Sequence, residues 1–176
     1  MSAARPARER LTSIAKFALP VLAAAAFAAA LLWPASPPPR AVLEGALSAI
    51  NAGDVPAYLR RFVSPEQLAN LVECDTGEHS WLQPSGRRER LEKIAGSLIY
   101  PDLPVELVSF EQEDRDEDWH AYGAGDVVYG SCRARRSFDE EEYRAVIRET
   151  DGQESSMPIT FWRWGDKTLL WSDPIN

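Results

Sequence analysis

Seventeen consecutive residues, Phe17 to Trp33, carry no charge, and they follow a segment, MSAARPARERLTSIAK, in which Arg5, Arg8, Arg10 and Lys16 outnumber a single acid, Glu9. A basic flank before an apolar run is either a signal peptide that is removed or an anchor that stays. Counted from Ile14 the run has 20 residues, enough for one helix to cross the hydrocarbon core of a bilayer. Lys16 can reach back to the headgroups. Pro20 falls in the first turn, where its missing N–H costs little, and Trp33 stands where an interfacial aromatic belongs. The small residues of AFAAA, Ala26 to Ala30, keep cleavage open as the alternative. No cysteine lies near the end of the run, which argues against a lipoprotein anchor.

Both readings leave the arginines cytoplasmic and export the rest. The expectation is therefore a single-pass protein of a bacterial inner membrane with its C-terminal domain in the periplasm. Residues 1–13 are its basic tail, 14–33 its transmembrane anchor or signal segment, and 34–40 (PASPPPR) a stiff, extended spacer. Residues 41–176 form the exported domain. The first sixteen residues carry a net +3, so the remainder holds −11 of a formal total of −8. A surface that acidic is a poor partner for nucleic acid, whose binding depends on Lys and Arg neutralising phosphates.

From Ala41 the pattern is helical. Val42, Ala46 and Ile50, with Leu43 and Leu47 beside them, form one apolar stripe. Gly53 suits the left-handed position after a helix, and Asp54 can cap the next one, DVPAYLRRF. SPEQLANLV begins with Ser64, Pro65 and Gln67 spaced as a capping box with proline at N1. RRERLEKIAGSLI places Leu91, Ile94, Ala95 and Leu98 on one face. After Pro104 the period becomes two. PVELVSFE changes phase midway, as a β-bulge would make it do. DVVYGSCRARRS alternates Val128, Gly130, Cys132 and Ala134 along one face, and EEYRAVIRET does the same with Tyr143, Ala145 and Ile147. MPITFWRWGDKTLLWSD reads as a hairpin across Gly165-Asp166, and Asp151-Gly152 marks another turn. Helices followed by four or five antiparallel strands make an α+β layout, helices on one face of a curved sheet.

This layout resembles the nuclear transport factor 2-like superfamily, which includes ketosteroid isomerases and polyketide cyclases. The likeness is carried by INAGDVPAYLRRF, a helix broken at Gly-Asp, and by the closing hairpin MPITFWRWGDKTLLWSD, and it covers Ala41 to Asn176. The resemblance implies a cone-shaped domain whose helices close over a curved antiparallel sheet. Because that superfamily hosts many unrelated functions, it implies no particular chemistry.

The two cysteines, Cys74 and Cys132, suit a single disulfide in an oxidising compartment, with two free buried thiols as the alternative. A zinc site would need Cys74-x4-His79 with His120-x11-Cys132, spacings looser than structural zinc sites use. A nucleophilic Cys74 paired with His79 is disfavoured by Glu73, Asp75 and Glu78, which raise rather than lower a thiol pKa. Asp114, Asp116 and Asp118 alternate as at the start of a calcium loop, but Trp119 stands where that loop needs glycine and Gly125 where it needs glutamate. Isomerase chemistry within a cone calls for a carboxylate base and a neutral donor converging on an apolar pocket. Tyr58, Tyr129, His120 and Asp126 are the polar candidates, and the first helix contributes none. No catalytic, cofactor-binding or metal-binding residue is therefore assigned.

Tyr129 and the hairpin aromatics Phe161, Trp162, Trp164 and Trp171 are the expected pocket or partner surface, one alternating set forming core and the other facing outward. The functional expectation is a non-catalytic accessory or assembly subunit of a membrane complex. It is similar in outline to inner-membrane subunits of type IV secretion systems. Its partners would be other membrane-protein subunits, reached in part through the alanine-rich span, and a homo-oligomer stays open. The alternative is a binder of a small apolar ligand, or an isomerase- or cyclase-like enzyme using the cone.

Overall fold

The computed structural model describes residues 36–75, 79–97, 104–112, 119–172 and 174. The basic tail, the apolar run, Leu98 and the acidic segment 113–118 lie outside the described residues. Helix α1 (Pro39–Asn51) buries all five residues of the apolar stripe, Val42, Leu43, Ala46, Leu47 and Ile50. Its chain reverses at Gly53 (φ +70°), and Asp54 then caps α2 (Val55–Leu59) by accepting from the Ala57 N–H at 2.9 Å. Helix α3 (Pro65–Leu71) opens with the full capping box. The Gln67 N–H donates to Ser64 Oγ, and the Ser64 N–H donates to the Gln67 side chain. A 3₁₀ turn (Ser80–Leu82) leads into α4 (Pro84–Ser97), which starts three residues before the segment RRERLEKIAGSLI that the sequence marks as helical. Gly86 permits that junction, since a Cβ there would collide with the Ser80 carbonyl.

Eight strands follow or interleave: β1 (Val72–Glu73), β2 (Glu106–Glu111), β3 (Trp119–Tyr122), β4 (Val127–Tyr129), β5 (Cys132–Ala134), β6 (Phe138–Arg148), β7 (Glu154–Trp164) and β8 (Lys167–Leu170). They form two antiparallel sheets rather than the single sheet expected. In the larger and curved one, β6, β7 and β8 run in sequence, while β2 and β3 share the outer edge of β6. The phase break in PVELVSFE is a register shift between Leu107 and Ser109. Tight turns join β6 to β7 at Gly152 (φ +84°) and β7 to β8 at Gly165 (φ +56°). The smaller sheet has the order β1-β5-β4. DVVYGSCRARRS is thus a hairpin and not one strand, because the chain turns at Gly130 with φ +54°.

The fold is α+β, with helices packed on a curved antiparallel sheet. One face of β6 and β7 gives Ala145, Ile147, Ile159 and Phe161 to a core closed by α1, α2 and α4. The other face gives Phe138 and Trp162 to a second core, shared with α3, the small sheet and Trp171. Burying an aliphatic or aromatic side chain of this kind stabilises by about 1.5–3 kcal/mol, so both faces of the long hairpin are held strongly. Asn51 ties the end of α1 to the start of β2 with two bonds, its Nδ2 donating to the Val105 carbonyl at 2.8 Å and its Oδ1 accepting from the Val105 N–H at 2.9 Å.

Candidate functional site

The second core contains a buried cation that, among the described residues, pairs with no carboxylate. Arg87, on α4, is fully buried. Its Nε donates to the Val63 carbonyl (2.8 Å), and its two terminal nitrogens donate to the carbonyls of Trp171 (2.9 Å) and Leu170 (3.2 Å). The guanidinium lies 4.3 Å from the centre of the Trp171 ring, and Trp171 stacks on Trp162 at 4.2 Å and 5°. Burial, with neighbouring Arg90 adding to it, pushes Arg87 down to about 9, so the group stays charged at neutral pH. Only guanidinium presents a planar fork able to reach three carbonyls while lying over an indole. Arg87 therefore fastens the link between α2 and α3 and the end of β8 to α4.

From that buried stack a chain of rings runs to the surface. Trp81, in the 3₁₀ turn, lies 6.2 Å from Trp171 and 5.4 Å from Tyr129 on β4. His79 lies 4.7 Å from Tyr129. Exposure rises along the series, from 1% at Trp162 and 8% at Trp171 to 39% at Trp81 and 53% at Tyr129, and Val127 beside it is 51% exposed. The segment carrying His79 and Trp81 is joined to the hairpin carrying Tyr129 by the disulfide Cys74–Cys132. His79 has a left-handed backbone (φ +56°), unusual for a residue with a side chain. Its ring lies against Gly130, where an added Cβ would meet Nε2. A covalent clamp and a close contact with glycine thus hold three rings together at the surface, against the cost of one unfavourable backbone conformation.

Acid–donor pairs exist on both faces of the large sheet. Under the helices, Glu141 is 5% exposed, pairs with Arg163 at 2.8 Å and accepts from the Tyr143 hydroxyl at 3.1 Å. Phe110 stacks on Tyr143 at 4.5 Å, and Phe161 sits edge-on to it at 5.8 Å. The pair is packed by its own neighbours. On the other face Glu140 accepts from the Trp162 indole N–H at 2.7 Å. Burial raises its pKa, Glu142 adds to the rise, and the Trp162 bond and His120 oppose it. Tyr122 is raised as well, first by burial and then by the charge of Glu140. Glu140, Tyr122 and His120 belong to neighbouring strands, with His120 opposite Glu140 in the register.

The structure distributes the residues singled out from sequence unevenly. Cys74 and Cys132 form the bridge, with Cys132 fully buried on the central strand of the small sheet. That consumes both thiols, so neither the zinc set with His79 and His120 nor a Cys74 nucleophile is available. Among the described residues no three His, Cys, Asp or Glu side chains cluster as metal ligands. Phe161 and Trp162 are both core residues, on opposite faces of β7, and Trp171 joins the second core. None of the three offers a surface, because β7 is covered on both sides where a one-sided sheet was expected. Trp164 is partly exposed, and Tyr129 lies within the surface ring cluster. Tyr58 is wholly buried. Asp126 is a turn residue, accepting from the Gly123 N–H at 2.7 Å.

Trp81, Arg87 and Gly130 were not singled out from sequence. The bridge itself was the available signal for Trp81, since linking Cys74 to Cys132 brings the residues after Cys74 alongside Tyr129. Nothing in RRER distinguishes the buried arginine from its solvated neighbours. Among the described residues no helix is long and apolar enough to cross a membrane, and residues 14–33 lie outside them. Compared with protein-family models, curated proteins and solved structures, the chain matches none.

Proposed function

We propose that this chain is a membrane-tethered accessory subunit whose exported domain docks onto a partner through the Trp81–Tyr129 surface. The observation that carries the reading is the ring series from Trp162 to Tyr129, rigid at its root and open at its end. Tryptophan and tyrosine fixed before binding lose little side-chain entropy on contact, which is why such residues dominate interface energetics. The tether is the apolar segment 14–33, held in the bacterial inner membrane, with the domain facing the periplasm. The fold reading that goes with it is a domain like nuclear transport factor 2, with the inside of the cone filled by Phe110, Tyr143, Phe161 and the α1 stripe. A cone filled by its own side chains favours docking over catalysis.

Purification of the full chain from its native membrane in gentle detergent tests the reading. The expected result is a fixed stoichiometric set of membrane subunits with the wild type, lost from the Trp81→Ala/Tyr129→Ala variant. Recovery of the wild type as a lone monomer would contradict it.

A further inference from the structure

Beside Trp81 runs a groove of about 360 Å³, lined by Ser80, Trp81, Gly86, Glu89, Arg90 and Lys93. Its helical wall follows from sequence spacing: positions 86, 89, 90 and 93 fall on one stripe of α4. The close approach at Gly86 sets Trp81 opposite that stripe. Arg90 and Lys93 are exposed, and among the described residues neither belongs to an ion pair, whereas Arg40, Arg135, Arg148 and Arg163 all do. Glu89 is the one acid among the lining residues. Arg90 is also close enough to buried Arg87 to disfavour its charge, so a third cation stands behind the wall.

This local excess of positive charge lies on a chain whose residues after Lys16 carry −11. An acidic ligand is repelled by most of that surface and attracted here, an arrangement that steers binding to one place. Trp81 supplies an indole already held by Trp171 and Tyr129. Deepening the docking reading, and resting on it, we infer that the groove takes an acidic, extended segment of the partner polypeptide. One apolar side chain of that segment packs on Trp81, and its carboxylates meet Arg90 and Lys93. A concave groove with room for a few side chains, on a strongly acidic domain, suits a peptide better than an anionic bilayer.

The test uses the full chain in neutral detergent and a labelled hexapeptide alternating glutamate with phenylalanine, followed by fluorescence anisotropy. The expected result is saturable binding that weakens as salt is raised. Arg90→Glu/Lys93→Glu and Trp81→Ala should each weaken it by at least about tenfold, while Lys167→Glu, remote in sequence, leaves it unchanged. Equal binding of a lysine–phenylalanine hexapeptide, or indifference to the charge reversal, would overturn the proposal. So would binding to phosphatidylglycerol vesicles that is lost with Arg90→Glu/Lys93→Glu and not displaced by the acidic peptide, a readout separate from capture through residues 14–33. The purification above separates this inference from the reading beneath it. A partner that leaves with Trp81→Ala but stays with Arg90→Glu/Lys93→Glu sinks the acidic segment and spares the docking. No partner with the wild type sinks the docking itself.

Discussion

Arg87 shows how one side chain decides whether distant segments meet. Removing it in Arg87→Ala strands the carbonyls of Val63 and Trp171 and opens a cavity against two aromatic rings. The expected loss is about 3–5 kcal/mol, read from the denaturant midpoint. Arg87→Lys should recover only a minor part, because one ammonium cannot serve three carbonyls in a fork; full recovery would show that charge alone matters. Glu140 argues in the opposite direction. Its pKa is raised in the folded protein, chiefly by burial, so the folded state holds that proton more tightly than the unfolded chain does. Its effect on stability is therefore most favourable below the ordinary carboxylate range and is lost as pH rises through the raised value. Glu140→Gln keeps an acceptor for the Trp162 indole and removes the half-buried charge. It should stabilise the protein at neutral pH by roughly 0.5–1 kcal/mol and leave stability little changed at acid pH. Destabilisation at neutral pH would mean that the ionised carboxylate is the better partner.

At the scale of elements, the disulfide has two separable effects. It closes a loop with a sequence separation of 58, for which chain entropy allows a stabilisation of about 4 kcal/mol. It also fixes the segment carrying His79 and Trp81 against the hairpin carrying Gly130 and Tyr129. The Cys74→Ser/Cys132→Ser variant should therefore lower the denaturant midpoint. It should also lose the near-ultraviolet circular dichroism of the ring cluster while keeping the far-ultraviolet signal of its helices. An unchanged near-ultraviolet spectrum would show that packing alone assembles the surface. Local elements were legible in the sequence wherever a local cause set them. The stripe of α1, the Ser64 capping box, the bulge after Leu107 and the Gly165 turn each follow from residues a few positions apart. The division into two sheets was not, because alternation in DVVYGSCRARRS looks the same whether the chain continues through Gly130 or turns there. Only the left-handed backbone that glycine allows separates those outcomes.

Across the whole molecule, the aromatics of the closing hairpin mark what sequence reasoning reaches and where it stops. Their alternation shows that β7 has two apolar sides, but the sequence alone does not say that both are covered. Phe161 is covered by helices and Trp162 by the second core around the small sheet, contacts made between residues far apart in the chain. The outward surface passed instead to Trp81 and Tyr129, which lie 48 positions apart and meet through the bridge. The most direct measurement of the docking claim is site-specific photo-crosslinking in native membranes. A benzophenone side chain is placed at position 129, with a second at position 151 in the exposed turn between β6 and β7. The expected result is a defined adduct with one membrane-complex subunit from position 129 and none from position 151. Equal labelling from both positions, or no adduct from position 129 in folded protein, would contradict it.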